Sequence, residues 1–79
     1  MKQNIFMYAK YVAVENGTLT QQMNDQLIAG DVGVAVQVME QRKSDLRMGK
    51  GNFLRQPSTE DIDSMIESID AAITILKQP

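Results

Sequence analysis

The chain has 79 residues and a formal net charge of −2, and it contains neither cysteine nor histidine. A chain of this length forms one small domain, residues 1–79, whose thin core often needs a partner for stability. The missing residue types exclude disulfides, the usual zinc sites and catalysis by histidine or cysteine. The sequence therefore predicts no cofactor, no metal site and no enzymatic activity, and it favours self-association.

The N-terminal segment, MKQNIFMYAKYVAV, resembles a secretory signal only superficially. Tyr8, Lys10 and Tyr11 interrupt its apolar run, and no small-residue cleavage site follows. No apolar stretch approaches the roughly 20 residues that a membrane-spanning helix needs. We therefore expect a soluble, cytoplasmic protein whose N-terminus belongs to the fold.

The first half of the chain predicts two helices, near residues 4–16 and 19–29. Asn4 is a candidate N-cap, and Gly17 is a candidate left-handed C-cap. A β-hairpin over residues 8–22, turning at Asn16-Gly17, is the alternative. The apolar stripe of the first helix would consist of Ile5, Tyr8, Ala9, Val12 and Ala13.

Residues 32–39 fit two interpretations. Four valines alternate with other residues at the period of a strand, yet the same segment continues an apolar stripe at helical spacing. The pattern extends beyond the length of a typical strand, which is about 8 residues at most, and this favours a helix near 32–48. Asp31 is then its N-cap.

The last helix, near residues 58–77, has the clearest pattern. Ser58 begins it, and Asp61 stands three positions later, as in a capping box. Apolar residues recur at steps of three and four, so one stripe faces the core or a subunit interface. The stripe residues are Ile62, Met65, Ile66, Ile69, Ile73 and Leu76.

These elements predict an all-α domain of three or four helices. Short connections favour antiparallel neighbours, so we expect the last helix to pack antiparallel to the preceding one across the 49–57 loop. An α+β fold, with the hairpin or a valine-rich strand, is the alternative.

A basic segment, residues 42–55, is the first candidate site. Residues 41–57 contain five basic residues and only Asp45 as an acid, a balance of +4, whereas the rest of the chain has a balance of −6. Such a segment can bind phosphates or an acidic protein partner, although cations also stabilise the end of a helix. The candidate anion- or partner-binding residues are Arg42, Lys43, Arg47, Lys50, Phe53 and Arg55.

Residues 25–43 contain a weak helix-turn-helix signal. Ala29 is followed at the motif's usual spacing by Gly33, the candidate turn glycine. Gln37, Gln41, Arg42 and Lys43 would then address a DNA groove. The acidic chain and the valine-rich second helix count against this alternative.

The carboxylates Asp63, Glu67 and Asp70 share one face of the last helix. A charged outer face is the ordinary state of an amphipathic helix, although such a row can also recognise a basic surface. We interpret it as a solvated face.

The sequence favours a non-enzymatic protein-interaction module that acts by covering a partner's surface, as a homo-oligomer. An accessory or inhibitory protein of a mobile genetic element, such as a phage, would suit this size and composition. A DNA-binding regulator using residues 25–43 is the first alternative. A binder of a small phosphorylated ligand through residues 42–55 is the second.

Overall fold

The computed structural model describes residues 2–51 and 53–79. This part of the chain forms four helices and no strand, so the all-α prediction is confirmed and both strand alternatives, at 8–22 and 32–39, are wrong. None of these helices combines the length and the apolar character that crossing a membrane requires. Met1 of the predicted domain and residue 52 of the basic segment lie outside the described residues. The helices are α1 Lys2–Glu15, α2 Gln21–Ile28, α3 Val32–Arg47 and α4 Thr59–Lys77.

Side chains cap three of the four helices at their N-termini. The carboxylate of Asp31 accepts a hydrogen bond from the Val34 backbone at 3.2 Å, as predicted for α3. Ser58 and Asp61 form the reciprocal capping box that begins α4. Thr20 caps α2. The N-cap prediction for Asn4 is wrong, because α1 already begins at Lys2.

Glycines in the left-handed region end α1 and α2. Gly17 has a φ of 70°, and the next backbone N–H, that of Thr18, donates to the Ala13 carbonyl at 2.9 Å. This geometry closes α1 as the sequence predicts. Gly30, with a φ of 82°, does the same after α2. Both turns are short, so α1, α2 and α3 pack as close neighbours.

The core lies where α1, α3 and α4 meet, and Leu27 adds to it from α2. Met39 and Leu46 of α3 are almost completely buried and contribute large side chains. The predicted inner stripe of α1 is buried except at Tyr8, which remains 38% exposed. The buried apolar residues are Ile5, Ala9, Val12, Ala13, Leu27, Ala35, Val38, Met39, Leu46, Ile69, Ile73 and Leu76.

Helix α4 places its apolar stripe against this core. Ile69, Ile73 and Leu76 are buried, whereas the stripe residues nearer its N-terminus, Ile62, Met65 and Ile66, are half-buried. Lys43 of α3 contacts Asp70, while the end of α3 lies beside residues 62–66. Later residues of α3 thus contact earlier residues of α4, which is compatible with antiparallel packing.

Met39→Ala should destabilise the domain by about 2–5 kcal/mol, because a large buried side chain is lost and a cavity remains. Met7→Ala is the matched control, since Met7 is also helical but is 64% exposed, against 0% for Met39. We expect the control to stay within about 0.5 kcal/mol of the wild type. Urea unfolding followed by circular dichroism measures both, and equal losses would contradict the core assignment.

Candidate functional site

Arg42, the first of the predicted binding residues, is engaged within the chain. Its Nη1 lies 3.2 Å from Oε1 of Glu15, at the end of α1, and the two side chains are only 13% and 12% exposed. The Nε of Arg42 is buried and finds no hydrogen-bond partner among the described residues. A guanidinium held in this way ties α3 to α1 and presents little charge to an outside ligand.

Lys43, the next residue, makes the corresponding contact with α4. Its Nζ lies 2.5 Å from the Asp70 carboxylate and 3.4 Å from that of Glu40. The hydrogen bond to Asp70 raises the pKa of Lys43, since it stabilises the charged ammonium. Lys43 is also buried, so it belongs to the helix packing. Of the three carboxylates that the sequence places on one face of α4, Asp63, Glu67 and Asp70, the last therefore forms an ion pair within the chain.

The other predicted cations lie at the last residue of α3 and on the connection to α4. Arg47, Lys50 and Arg55 are exposed and form no ion pair with any described residue. Met48 and Leu54 lie among them and are also exposed, Leu54 completely, at 109% of its reference area. We call residues 47–55 the basic loop. It combines unpaired positive charge with apolar side chains in water.

Phe53, predicted to offer a stacking face, instead packs against the core. It is half-buried. A Cβ added at Gly51 would lie 2.6 Å from the Phe53 ring, so the ring covers the bare backbone of this glycine. The half-buried ring therefore attaches the basic loop to the core.

A crevice of about 420 Å³ separates the end of α3 from the N-terminal half of α4. Ile62 and Ile66 contribute apolar surface to it, while Arg47 and Asp63 contribute opposite charges. We call it the α3–α4 crevice. Along α4, four exposed carboxylates form no ion pair among residues 2–51 and 53–79. Asp61 accepts the capping hydrogen bond from Ser58. The other three, the acidic face, are Glu60, Asp63 and Glu67.

The structure also reveals an apolar surface that the sequence prediction missed. Met7, Tyr11 and Val14 are exposed at steps of four and three along α1, on the side away from its buried stripe. Ile28, at the end of α2, is 72% exposed and lines a shallow depression of about 490 Å³ together with Met7. We call these four residues the α1 outer face. The sequence contains a signal for this surface, namely a second row of apolar residues on the other side of α1.

Glu15 links this face to the Arg42 contact. A hydrogen bond from the Tyr11 phenol to Glu15, together with the negative charge of that carboxylate, raises the pKa of Tyr11. Glu15 therefore interacts with a residue of the α1 outer face and with Arg42.

A third concave surface, of about 350 Å³, lies between α1, α3 and α4. Met39, Leu46 and Ile69 form its apolar lining, and Tyr8 and Arg42 add polar atoms. No group of three metal-ligating side chains comes together anywhere in the described ranges. The cleft therefore offers apolar contact, with few groups that could orient a polar ligand.

The helix-turn-helix prediction meets a different local geometry. Helices α2 and α3 do flank a three-residue turn, 29–31. The glycine with positive φ in this turn is Gly30, whereas Gly33 lies inside α3. The proposed groove-reading cations, Arg42 and Lys43, make the internal contacts described above.

Comparison with known proteins gives no family assignment. No protein-family model matches the chain, and no curated protein or solved structure matches it significantly. Function is therefore inferred from the contacts, exposure and charge of the chain's own residues.

Glu15→Ala should destabilise the fold by about 1–3 kcal/mol, because it leaves the largely buried Arg42 guanidinium without its carboxylate. This range lies between the small value of exposed ion pairs and the 3–5 kcal/mol of fully buried ones. Glu67→Ala removes an exposed carboxylate and should cost less than about 0.5 kcal/mol. A double-mutant cycle with Arg42→Met tests the contact, and additive effects of the two substitutions would contradict it.

Ionisation of Tyr11 gives a second test of the Glu15 cluster. The chain has two tyrosines, so Tyr8→Phe leaves Tyr11 as the only phenol. Because Glu15 favours the neutral phenol, Tyr11 should titrate above its ordinary pKa of 10.0. Ultraviolet difference spectroscopy should show this midpoint falling when Glu15→Gln is added. An unchanged midpoint would mean that the Glu15 carboxylate does not act on the phenol.

Proposed function

We propose that this chain is a non-enzymatic protein-interaction module that docks onto a partner protein through the α1 outer face. The supporting observation is where the uncovered apolar surface lies. Of the seven large apolar side chains exposed in the described ranges, four form the α1 outer face. These are Met7, Tyr11, Val14 and Ile28.

Helical physics supports a partner at this face. A helix with apolar residues on both sides is normally covered on both sides. Helix α1 packs against α2, α3 and α4, yet Met7, Tyr11 and Val14 stay exposed. Tyrosine and methionine are enriched in protein interfaces, where they provide large contact areas. A clustered apolar surface on a small domain marks an interaction site more often than scattered exposed residues do.

Charge beside the face indicates the chemistry of the partner. Lys10 is exposed and lines the same depression as Met7 and Ile28. It forms no ion pair with any described residue. The partner surface that fits is therefore apolar at its centre and carries a carboxylate at its edge, facing Lys10.

The two alternative functions receive less support from the contacts. DNA reading by α3 would use Gln37, Gln41, Arg42 and Lys43. The two cations among them, which would meet the phosphates, pair with Glu15 and Asp70. Binding of a phosphorylated ligand would need converging cations, whereas the α3–α4 crevice places Arg47 next to the carboxylate Asp63. We therefore favour protein docking over either alternative.

Two further parts of the sequence hypothesis stay predictions. A cytoplasmic location is one of them and is included in our proposal. An origin in a mobile genetic element has no additional support from the described residues, and the docking mechanism does not depend on it.

Site-specific crosslinking in the source cell tests the α1 outer face directly. A photoreactive p-benzoylphenylalanine at Tyr11 should crosslink to one protein, identifiable by mass spectrometry, because its ring would lie within the interface. The same amino acid at Ala71, an exposed position on α4, is the matched control and should give no such product.

A second substitution decides whether the crosslink reports docking. Met7→Lys places a charge at the centre of the apolar face and should abolish the Tyr11 crosslink without unfolding the chain, since Met7 is exposed. A crosslink that survives Met7→Lys, or one formed only with another copy of this chain, would overturn partner docking at this face.

A further inference from the structure

We propose that two copies of this chain form a twofold-symmetric dimer in which the basic loop of each copy covers the acidic face of the other. Leu54 of one copy would enter the α3–α4 crevice of its partner. This interface uses residues outside the α1 outer face, so it is independent of the proposed docking to another protein.

Charge complementarity is the first support for a second copy as the occupant. The internal ion pairs involve Arg42 and Lys43 of the basic segment. Three exposed cations then remain in the basic loop, and three exposed carboxylates remain on the acidic face. Neither set forms an ion pair among the described residues, so each can be neutralised by the other across an interface.

The position of the two charged patches favours a twofold arrangement. Arg47, at the start of the basic loop, and Asp63, within the acidic face, line the same α3–α4 crevice. The patches are therefore neighbours on one side of the molecule. A twofold axis near the crevice would bring each patch against its opposite, because in such an interface residue i contacts j and j contacts i.

Apolar contact supplies the centre of this interface. Leu54 is fully exposed, and Met48, six residues earlier in the basic loop, is also exposed. The α3–α4 crevice, at about 420 Å³, has room for a leucine side chain and is lined partly by Ile62 and Ile66. Covering a leucine contributes roughly 1.5–3 kcal/mol per side chain when burial is complete, and symmetry doubles the contact. An apolar centre with a charged rim is the usual anatomy of a protein interface.

A dimer of this kind also suits the size of the chain. A domain of 79 residues buries a limited share of its surface when it folds, so it gains from covering apolar groups with a second copy. The Phe53 ring lies over the backbone of Gly51 and packs against the core, so this part of the loop is attached to the domain.

Complementary charge reversal tests the dimer by sedimentation velocity. The loop variant carries Arg47→Glu, Lys50→Glu and Arg55→Glu, and the face variant carries Glu60→Lys, Asp63→Lys and Glu67→Lys. Wild type should sediment as a dimer whose affinity falls as salt rises. Each variant alone should be monomeric, with its dimer Kd raised roughly 100-fold. An equimolar mixture of the two should form the dimer again.

A charge-matched control separates the patch from net charge. Reversing Lys2, Lys10 and Lys77 to Glu changes the net charge as much as the loop variant does but leaves the basic loop intact, so this control should remain dimeric. Leu54→Asp should give a monomer, and its exposure means that the fold has little reason to fail. Circular dichroism verifies that each variant is folded.

Several outcomes would overturn the dimer. They are a monomeric wild type at low salt, a dimer that survives Leu54→Asp or the loop variant, a monomeric charge-matched control, and a mixture of folded variants that stays monomeric. Crosslinking at Tyr11 reports on a different surface, so either proposal can fail while the other stands.

Discussion

Helix α3 is held between α1 and α4 by two adjacent cations that reach in different directions. Arg42 contacts Glu15 on α1, and Lys43 contacts Asp70 on α4. Successive helical residues point about 100° apart, so neighbours in sequence can contact two different helices. Arg42 lines the cleft between α1, α3 and α4 together with the buried Met39 and Leu46, where an unpaired charge would be costly. The arrangement of the other helices depends on these two pairs as well as on apolar packing.

The same contacts divide the charge of the chain into two groups. Arg42 and Lys43 form ion pairs with carboxylates of α1 and α4. The cations of the basic loop form no ion pair with any described residue. Because Asp70 is committed to Lys43, the part of α4 that remains acidic is its N-terminal half, beside the crevice. Internal pairing thus leaves opposite charges close together on one side of the molecule, and a second copy could bring them into contact.

Much of the fold follows from local sequence signals. Ser58 and Asp61 predict the start of α4, and Asp31 predicts that of α3, because caps depend on neighbours three residues away. The length of the apolar pattern correctly favours a helix over residues 32–39. Asn4 is not a cap because α1 already begins at Lys2. The two residues before Asn4, lysine and glutamine, both favour a helix.

The candidate site was harder to predict, since it depends on contacts between distant residues. Nothing near Arg42 or Lys43 in sequence indicates that carboxylates 27 positions away will bind them. Phe53 was assigned to stacking because its close contact with Gly51 cannot be read from composition. The spacing of Met7, Tyr11 and Val14 was visible, but an amphipathic interpretation of α1 assigns only one apolar stripe to the helix. The structure shows that the side chains of this second stripe are exposed, which makes the stripe a candidate interface.

The two proposed surfaces have a joint consequence for affinity. The α3–α4 crevice and the depression beside the α1 outer face share no lining residue, so dimerisation would leave both α1 faces open. A twofold dimer would then present two identical docking faces. Against a partner that is itself repeated, the second contact becomes intramolecular, and the overall affinity rises without any new contact within each face. Ionic strength weakens the charged dimer interface more than the apolar docking face. Rising salt would therefore first separate the dimer into copies with one docking face each, before it weakens the binding of the partner at each face.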